Sequence, residues 1–403
     1  MMIGQLKEHY KPLYFLAALG NGGLAISFFM YLMFMVKHPA TPMATFDAIY
    51  PALMAGNALS VVVAISLVGI VFFAWQHYKL LIWNIREYQL FKQTEAYTEL
   101  RQSQAEASLM AIPLTYAMTM NVSFILAAVF IPNFWSFVEY LFPAAIVAYL
   151  AIGTYALRIF LAYFTRLILE GQFDFSKNNN LSQMVIIFAF AMIAVGFAAP
   201  GAMSHHHAVN AVAIFFSLFF LTITVGLAMF KLILGFNSII KHGISLEASP
   251  SLWIMIPILT LIGITVTRLV FGFSHHFFEI DMHSFNFALM YFIMSVFISL
   301  QLLFGVIGYT VMKKIGYFEQ YVDGDQNSAG SFALICPGVA FFVFGMFFLF
   351  FGIVKAGLAA QFGIVYFALL VPLVYIQYKT IATMFKLNRK IFYRASDMTA
   401  QTA

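Results

Sequence analysis

Ten stretches of this 403-residue chain each exceed the roughly 20 apolar residues needed to cross the hydrocarbon core of a bilayer. They fall at 13–36, 49–75, 109–131, 134–160, 181–203, 206–235, 251–273, 284–312, 330–354 and 359–385. A backbone surrounded by hydrocarbon must satisfy its own N–H and C=O groups, which leaves helices or closed barrels. Continuous apolar runs, rather than short alternating ones, select helices. With 63% of its residues hydrophobic and only 9% charged, the chain is not a soluble globular protein. The expectation is an all-α integral membrane protein, a single transmembrane domain over 1–403.

The first run follows a dozen polar and basic residues, is longer than a secretory apolar region and lacks a small-residue cleavage site, so it reads as a retained span. Lysines and arginines then assign the sides. Lys7 and Lys11, Lys79, Arg86, Lys92 and Arg101, Arg166 and Lys177, Lys241, Lys313 and Lys314, and Lys386, Arg389, Lys390 and Arg394 all fall on one side. The opposite loops hold only Lys37 and Lys355. Positive residues collect on the cytoplasmic side, so both termini are expected there. The N-terminus 1–12, an amphipathic segment 76–108 that extends the second helix and returns, and the tail 386–403 are cytoplasmic in this reading. The net charge of +5 therefore reports orientation and calls for no nucleic-acid partner. The single cysteine, Cys336, allows no intramolecular disulfide and no cysteine-based metal site.

Short connections on the outer side pair consecutive spans into five hairpins, and the two members of each differ. Odd spans carry Gly20, Gly22 and Gly23, then Pro113, Pro200 with Gly201, Pro257 with Gly263, and Pro337 with Gly338 and Gly345. Proline removes a backbone donor and kinks a helix. Backbone freed in this way is tolerated only against protein or a water-filled path. Even spans are mainly large apolar residues, although prolines such as Pro51 and Pro143 make the pattern imperfect. An inner ring of five odd helices around a central path, inside an outer ring of five even ones, accounts for the asymmetry. The plainer reading is that glycine and proline are common in membrane helices generally.

Two segments carry a family resemblance. The first span contains Leu19-Gly20-Asn21-Gly22-Gly23-Leu24-Ala25, and the seventh opens Ser249-Pro250-Ser251-Leu252-Trp253-Ile254 ahead of Pro257. Together with ten spans and internal termini, these resemble the tellurite-resistance/dicarboxylate transporter family, which includes the plant guard-cell slow anion channels. The resemblance implies a pore through five inner helices, occluded by a phenylalanine on the ninth, in a bacterial inner-membrane protein that forms a homotrimer. In the channels that phenylalanine precedes the ninth-helix proline. Here the segment is Ile335-Cys336-Pro337, and Phe341 and Phe342 one turn later become the gate candidates. The pore set is then Phe341, Phe342, Pro337, Cys336, Gly22, Asn21, Pro113, Thr119, Pro257 and Thr260.

Arg268, toward the outer end of the seventh span, is either an anion-attracting group or a guanidinium snorkelling to the interface. With Lys37 and Lys355 it would make an electropositive outer mouth. His205, His206, His207, His275, His276 and His283, beside Glu279 and Asp281, offer a metal site or a pH-sensitive rim, or are ordinary interface histidines. Sparse hydroxyls and amides on odd spans, including Thr115, Asn121, Ser123, Thr265 and Thr267, can replace part of an anion's hydration shell or simply join helices. Most of the 48 phenylalanines suit a lipid face. No phosphate-cradling loop, nucleophile elbow or cluster of intramembrane carboxylates is present, so an enzyme is not expected and no cofactor is called for. The expected function is transport of a small inorganic or carboxylate anion, with membrane lipid as the other partner. The alternative is a non-transporting module that holds a lipid, quinone or haem in an occluded centre.

Overall fold

The computed structural model describes residues 2–170, 182–278 and 285–393, and all regular structure among them is helical. Ten helical segments are long and apolar enough to cross a membrane: α1 (Pro12–Met35), α2 (Ala58–Phe91), α3 (Gln104–Phe130), α4 (Val138–Leu169), α5 (Val185–Met203), α6 (His207–His242), α7 (Ser249–His276), α8 (Ala288–Lys314), α9 (Ala329–Val354) and α10 (Ile364–Phe392). They fit a multi-pass membrane protein.

Local chemistry moves several boundaries from where hydropathy puts them. The second apolar run does not form one helix from residue 49. Pro51 lies in a separate short helix, Phe46–Met54, and the chain then breaks at Gly56, whose φ is +67°. Asn57 restarts the helix: its side chain accepts from the Ser60 amide while the Ser60 hydroxyl accepts from the Asn57 amide, both at 3.2 Å. Each bond satisfies a donor that the first turn would otherwise leave open. At the other end α2 runs on to Phe91, and a short helix, Glu95–Arg101, leads back into α3, whose first residues, Gln104–Met110, are 3₁₀. α6 and α10 also outlast their apolar runs, with the good helix formers lysine and arginine in their last turns. Lys390 on α10 donates to the Tyr321 carbonyl at 3.1 Å. α9 widens into a π-helix over Phe348–Val354.

Each odd-numbered helix packs on its successor, α1 on α2 through to α9 on α10. Among the odd ones, α1 also packs on α3, α3 on α5, α5 on α7, α7 on α9 and α9 on α1. In the apolar stretch of every odd helix more than half the residues are buried, against at most a third in every even helix. Ile364 on α10, Ile240 on α6 and Leu169 on α4 are almost fully exposed, as residues facing lipid tails would be.

Buried polar contacts tie the helices together. Gln301, the inward-facing polar residue of α8, donates to the Thr260 hydroxyl of α7 at 2.7 Å. Gln377 of α10 donates to Ser27 of α1 at 2.8 Å and accepts from Tyr31 at 2.7 Å. Ser217 of α6 donates to the Ala194 carbonyl of α5 at 2.9 Å. His77 of α2 serves two neighbours, with Nδ1 2.8 Å from the Ala18 carbonyl and Nε2 2.9 Å from the Thr119 hydroxyl. Gly22 makes room for that imidazole, since a Cβ there would lie 2.8 Å from Nδ1. Replacing His77 with phenylalanine removes both contacts between helices, while Thr119 keeps its bond to the Thr115 carbonyl. The expected cost is about 1–3 kcal/mol, read as a lower unfolding midpoint of the solubilised protein. Thr119→Val, which removes one of the two contacts, should cost less.

A central cavity with one buried guanidinium

A cavity of about 1000 Å³ runs between the odd-numbered helices, with α4 and the loop 38–43 completing its wall. Its wide end lies where the odd helices finish and includes the exposed residues Pro39, Ala40, Pro42, His205, His275 and Lys355. Its far end is closed by the buried residues Leu19, Gly20, Met118, Phe188, Pro257 and Cys336. His38 fixes the loop at the wide end, with its ring nitrogens 2.8 Å from the Met33 carbonyl and 3.0 Å from the Thr41 carbonyl. Small residues keep the wall open and the helices close: a Cβ at Gly23 would come within 2.9 Å of Val339. In the π-helical stretch and the turn before it, Phe347, Phe350 and Phe351 surround Phe34 with ring centroids 5.1, 5.1 and 5.8 Å away. All three line the rim.

Arg268 lines the same cavity, eight residues before the end of α7, which is about 12 Å of helix. Its Nη1 donates to the Val195 carbonyl of α5 at 3.0 Å. No aspartate or glutamate is among the described residues that line the cavity. The basic groups on its wall are Arg268, Lys355 and the histidines His38, His205 and His275. A guanidinium at membrane depth is costly unless water, protein dipoles or an anion meet its charge. Hydroxyls contribute little. Thr260 gives its proton to the Ala340 carbonyl at 3.0 Å, Thr267 to Gly263 at 2.8 Å and Ser123 to Thr119 at 2.8 Å. Tyr149 of α4 donates to the Asn121 side-chain oxygen at 2.9 Å. That orients the Asn121 amide nitrogen, whose partner is the weakly accepting Met192 sulfur at 3.5 Å. The donors best placed for a ligand are therefore Arg268 and Asn121.

Of the residues singled out from sequence, Arg268, Lys355, Pro257, Thr260, Cys336, His205 and His275 come together on this wall, as do Gly20, Gly23, Pro200, Asn121, Ser123 and Thr267. The others lie elsewhere. Phe342 is fully buried with its ring 5.4 Å from that of Tyr31, and neither it nor Phe341 lines the cavity. Pro337 and Pro113 are buried in helix contacts, and Asn21 donates to the Ala17 carbonyl at 2.8 Å within α1. Gly22 and Thr119 belong to the His77 contact. Lys37, His206 and His207 are exposed, and His276 sits 3.3 Å from the Ala202 carbonyl. Among the described residues no three histidine, cysteine or acidic side chains group to hold a metal. His283, with Glu279 and Asp281, lies outside the described residues.

Sequence reasoning missed the part α4 plays. Tyr149 reaches the cavity because Gly196 on α5 has no side chain, and a Cβ there would lie 2.2 Å from the tyrosine ring. Two residues so far apart in sequence give no signal of that fit. Comparison with family models, with curated proteins and with solved structures gives no match.

Proposed function

We propose that the protein carries an anion across a membrane through this cavity, with Arg268 as the recognition cation. The observation that carries the reading is a guanidinium in a membrane-depth cavity whose described lining holds no carboxylate to neutralise it. Such a site favours a negative guest, because the Val195 carbonyl meets only part of the charge. The successive packing of the five odd helices on one another, and their deeper burial, support an inner ring around a central path. The distribution of lysine and arginine supports cytoplasmic termini and a wide end that faces outward, as in a bacterial inner membrane. An anion would enter past Lys355 and the histidine-bearing rim, exchange part of its hydration for Arg268 and Asn121, and stop at the closed end.

In this reading the barrier is the packed layer of Leu19, Met118, Phe188 and Cys336, where the cavity ends. Phe188→Ala should lengthen the cavity inward and raise anion flux severalfold in liposomes carrying the purified protein. Phe341→Ala and Phe342→Ala, which change side chains off the cavity wall, should leave flux near the wild-type level. Flux released by either of those two, with Phe188→Ala silent, would move the gate to α9.

A further inference from the structure

We infer that the guest of this cavity is an organic anion with an apolar body, a carboxylate or sulfonate on an alkyl or aryl group, rather than a bare inorganic ion. The inference rests on the anion site proposed above and names the class of molecule it takes. Three features point to it. The first is size: about 1000 Å³ stands at the upper end of the roughly 300–1,000 Å³ typical of pockets for drug-sized ligands, far more than a halide or nitrate occupies.

The second is the wall around the charge. Met30, Met120, Met192, Val343 and Phe347 line the cavity with Arg268, while its hydroxyls are spent on helix carbonyls. A small anion would need water to fill the remaining space, and water settles only where it finds two to four polar partners. This wall offers few, whereas an alkyl or aryl body fits it without them. Methionine, with its flexible and polarizable side chain, adapts to such bodies of varied shape.

The third is the one-sidedness of the polar groups. Arg268 and Asn121 are the ligand-facing donors, and both lie on the cavity wall beside Tyr149. The charged end of a guest is thereby fixed to one place while the rest has apolar room. That arrangement suits a molecule with a single anionic head; the second charge of a short dicarboxylate held at Arg268 would face methionine and phenylalanine, with Lys355 and the histidines out at the exposed rim.

The test is calorimetric titration of the full-length protein in lipid nanodiscs with sodium acetate, butyrate, hexanoate and octanoate, with chloride and nitrate, and with succinate. Empty nanodiscs give the blank for partition into lipid. Affinity is expected to rise about three- to fourfold for each added methylene, as burial of that group predicts. Succinate should bind more weakly than butyrate. Arg268→Gln should weaken every carboxylate together and keep the slope of the series. Ala199→Phe, which adds bulk on the cavity wall, should weaken octanoate more than acetate and so tests the site without touching the cation. A flat series in which acetate and nitrate bind as tightly as octanoate, still dependent on Arg268, would overturn the apolar-body inference and leave the anion site standing. Binding of no anion at all would overturn both. A rising series indifferent to Arg268→Gln and to Ala199→Phe would be adsorption to lipid or to the outer surface, and would also overturn it.

Discussion

Arg268→Gln should weaken anion binding by about a hundredfold while the protein still folds. Removing one partner of a desolvated charge contact costs about 2–5 kcal/mol, and 2.7 kcal/mol corresponds to that factor. Glutamine ends two bonds short of the Nη1 that now holds the Val195 carbonyl at 3.0 Å, so this one α5–α7 contact is lost with the charge. Folding is expected to tolerate the change, because a cationic group without a carboxylate at membrane depth opposes folding more than it helps. Arg268→Lys should fall between the two, since an ammonium keeps the charge and loses the planar fork that meets a carboxylate with two parallel bonds. Titration of wild type and both variants, with unfolding midpoints measured in parallel, separates loss of the cation from loss of structure. Equal affinities across the three proteins would remove Arg268 from the site.

The second large effect is expected one turn further along α7. A Cβ at Gly272 would stand 2.6 Å from the Gly201 carbonyl oxygen and 3.3 Å from Ala202 Cα, so backbone meets backbone where α7 crosses α5. Neither side can yield by rotating a side chain. The Gly201 carbonyl is held from its other side as well, because it accepts from the Asn210 amide of α6. Gly272→Ala should therefore push α7 away from α5 and cost about 2–3 kcal/mol, at the upper part of the range for overpacked sites. The same displacement should lengthen the Arg268 to Val195 contact and weaken anion binding with it. Gly226→Ala on α6 is the control. A Cβ there meets nothing, and alanine is the better helix former by about 1 kcal/mol, so the midpoint should hold or rise. A Gly272→Ala protein as stable as wild type would show that the two helices have room to separate.

The membrane spans were legible because each apolar run is longer than anything a soluble core requires, and ten such runs correspond to α1 to α10. Their ends were less legible. Hydropathy marks where a helix leaves hydrocarbon, whereas Asn57 and Gly56 decide where α2 starts, and polar residues carry α6 and α10 onward. The contrast between odd and even helices could be read from Gly20, Gly23 and Pro257, small or kinked positions that lie on the cavity wall. Arg268 stood out because a charge within an apolar run must be explained.

The facing of α9 was harder to read. Phe341 and Phe342 lie in a run of phenylalanines with almost no polar residue to mark a side, so periodicity could not tell that Cys336, Val339, Ala340, Val343 and Phe347 share the cavity face. The hydroxyls could be read either way, as lining for a guest or as helix contacts. A threonine on an odd helix looks available to a guest, but Thr260 and Thr267 give their protons to helix carbonyls. The fit of Tyr149 against Gly196 depends on two helices meeting and leaves no mark in either segment alone.

The most direct test of anion passage is uptake of labelled butyrate and of nitrate into liposomes that carry the purified protein, under an imposed membrane potential, with protein-free liposomes alongside. The account predicts saturable uptake of one or both that falls to the protein-free level with Arg268→Gln. Binding of the same anions in nanodiscs without uptake under any potential would contradict it, and would make the cavity a holding site rather than a path.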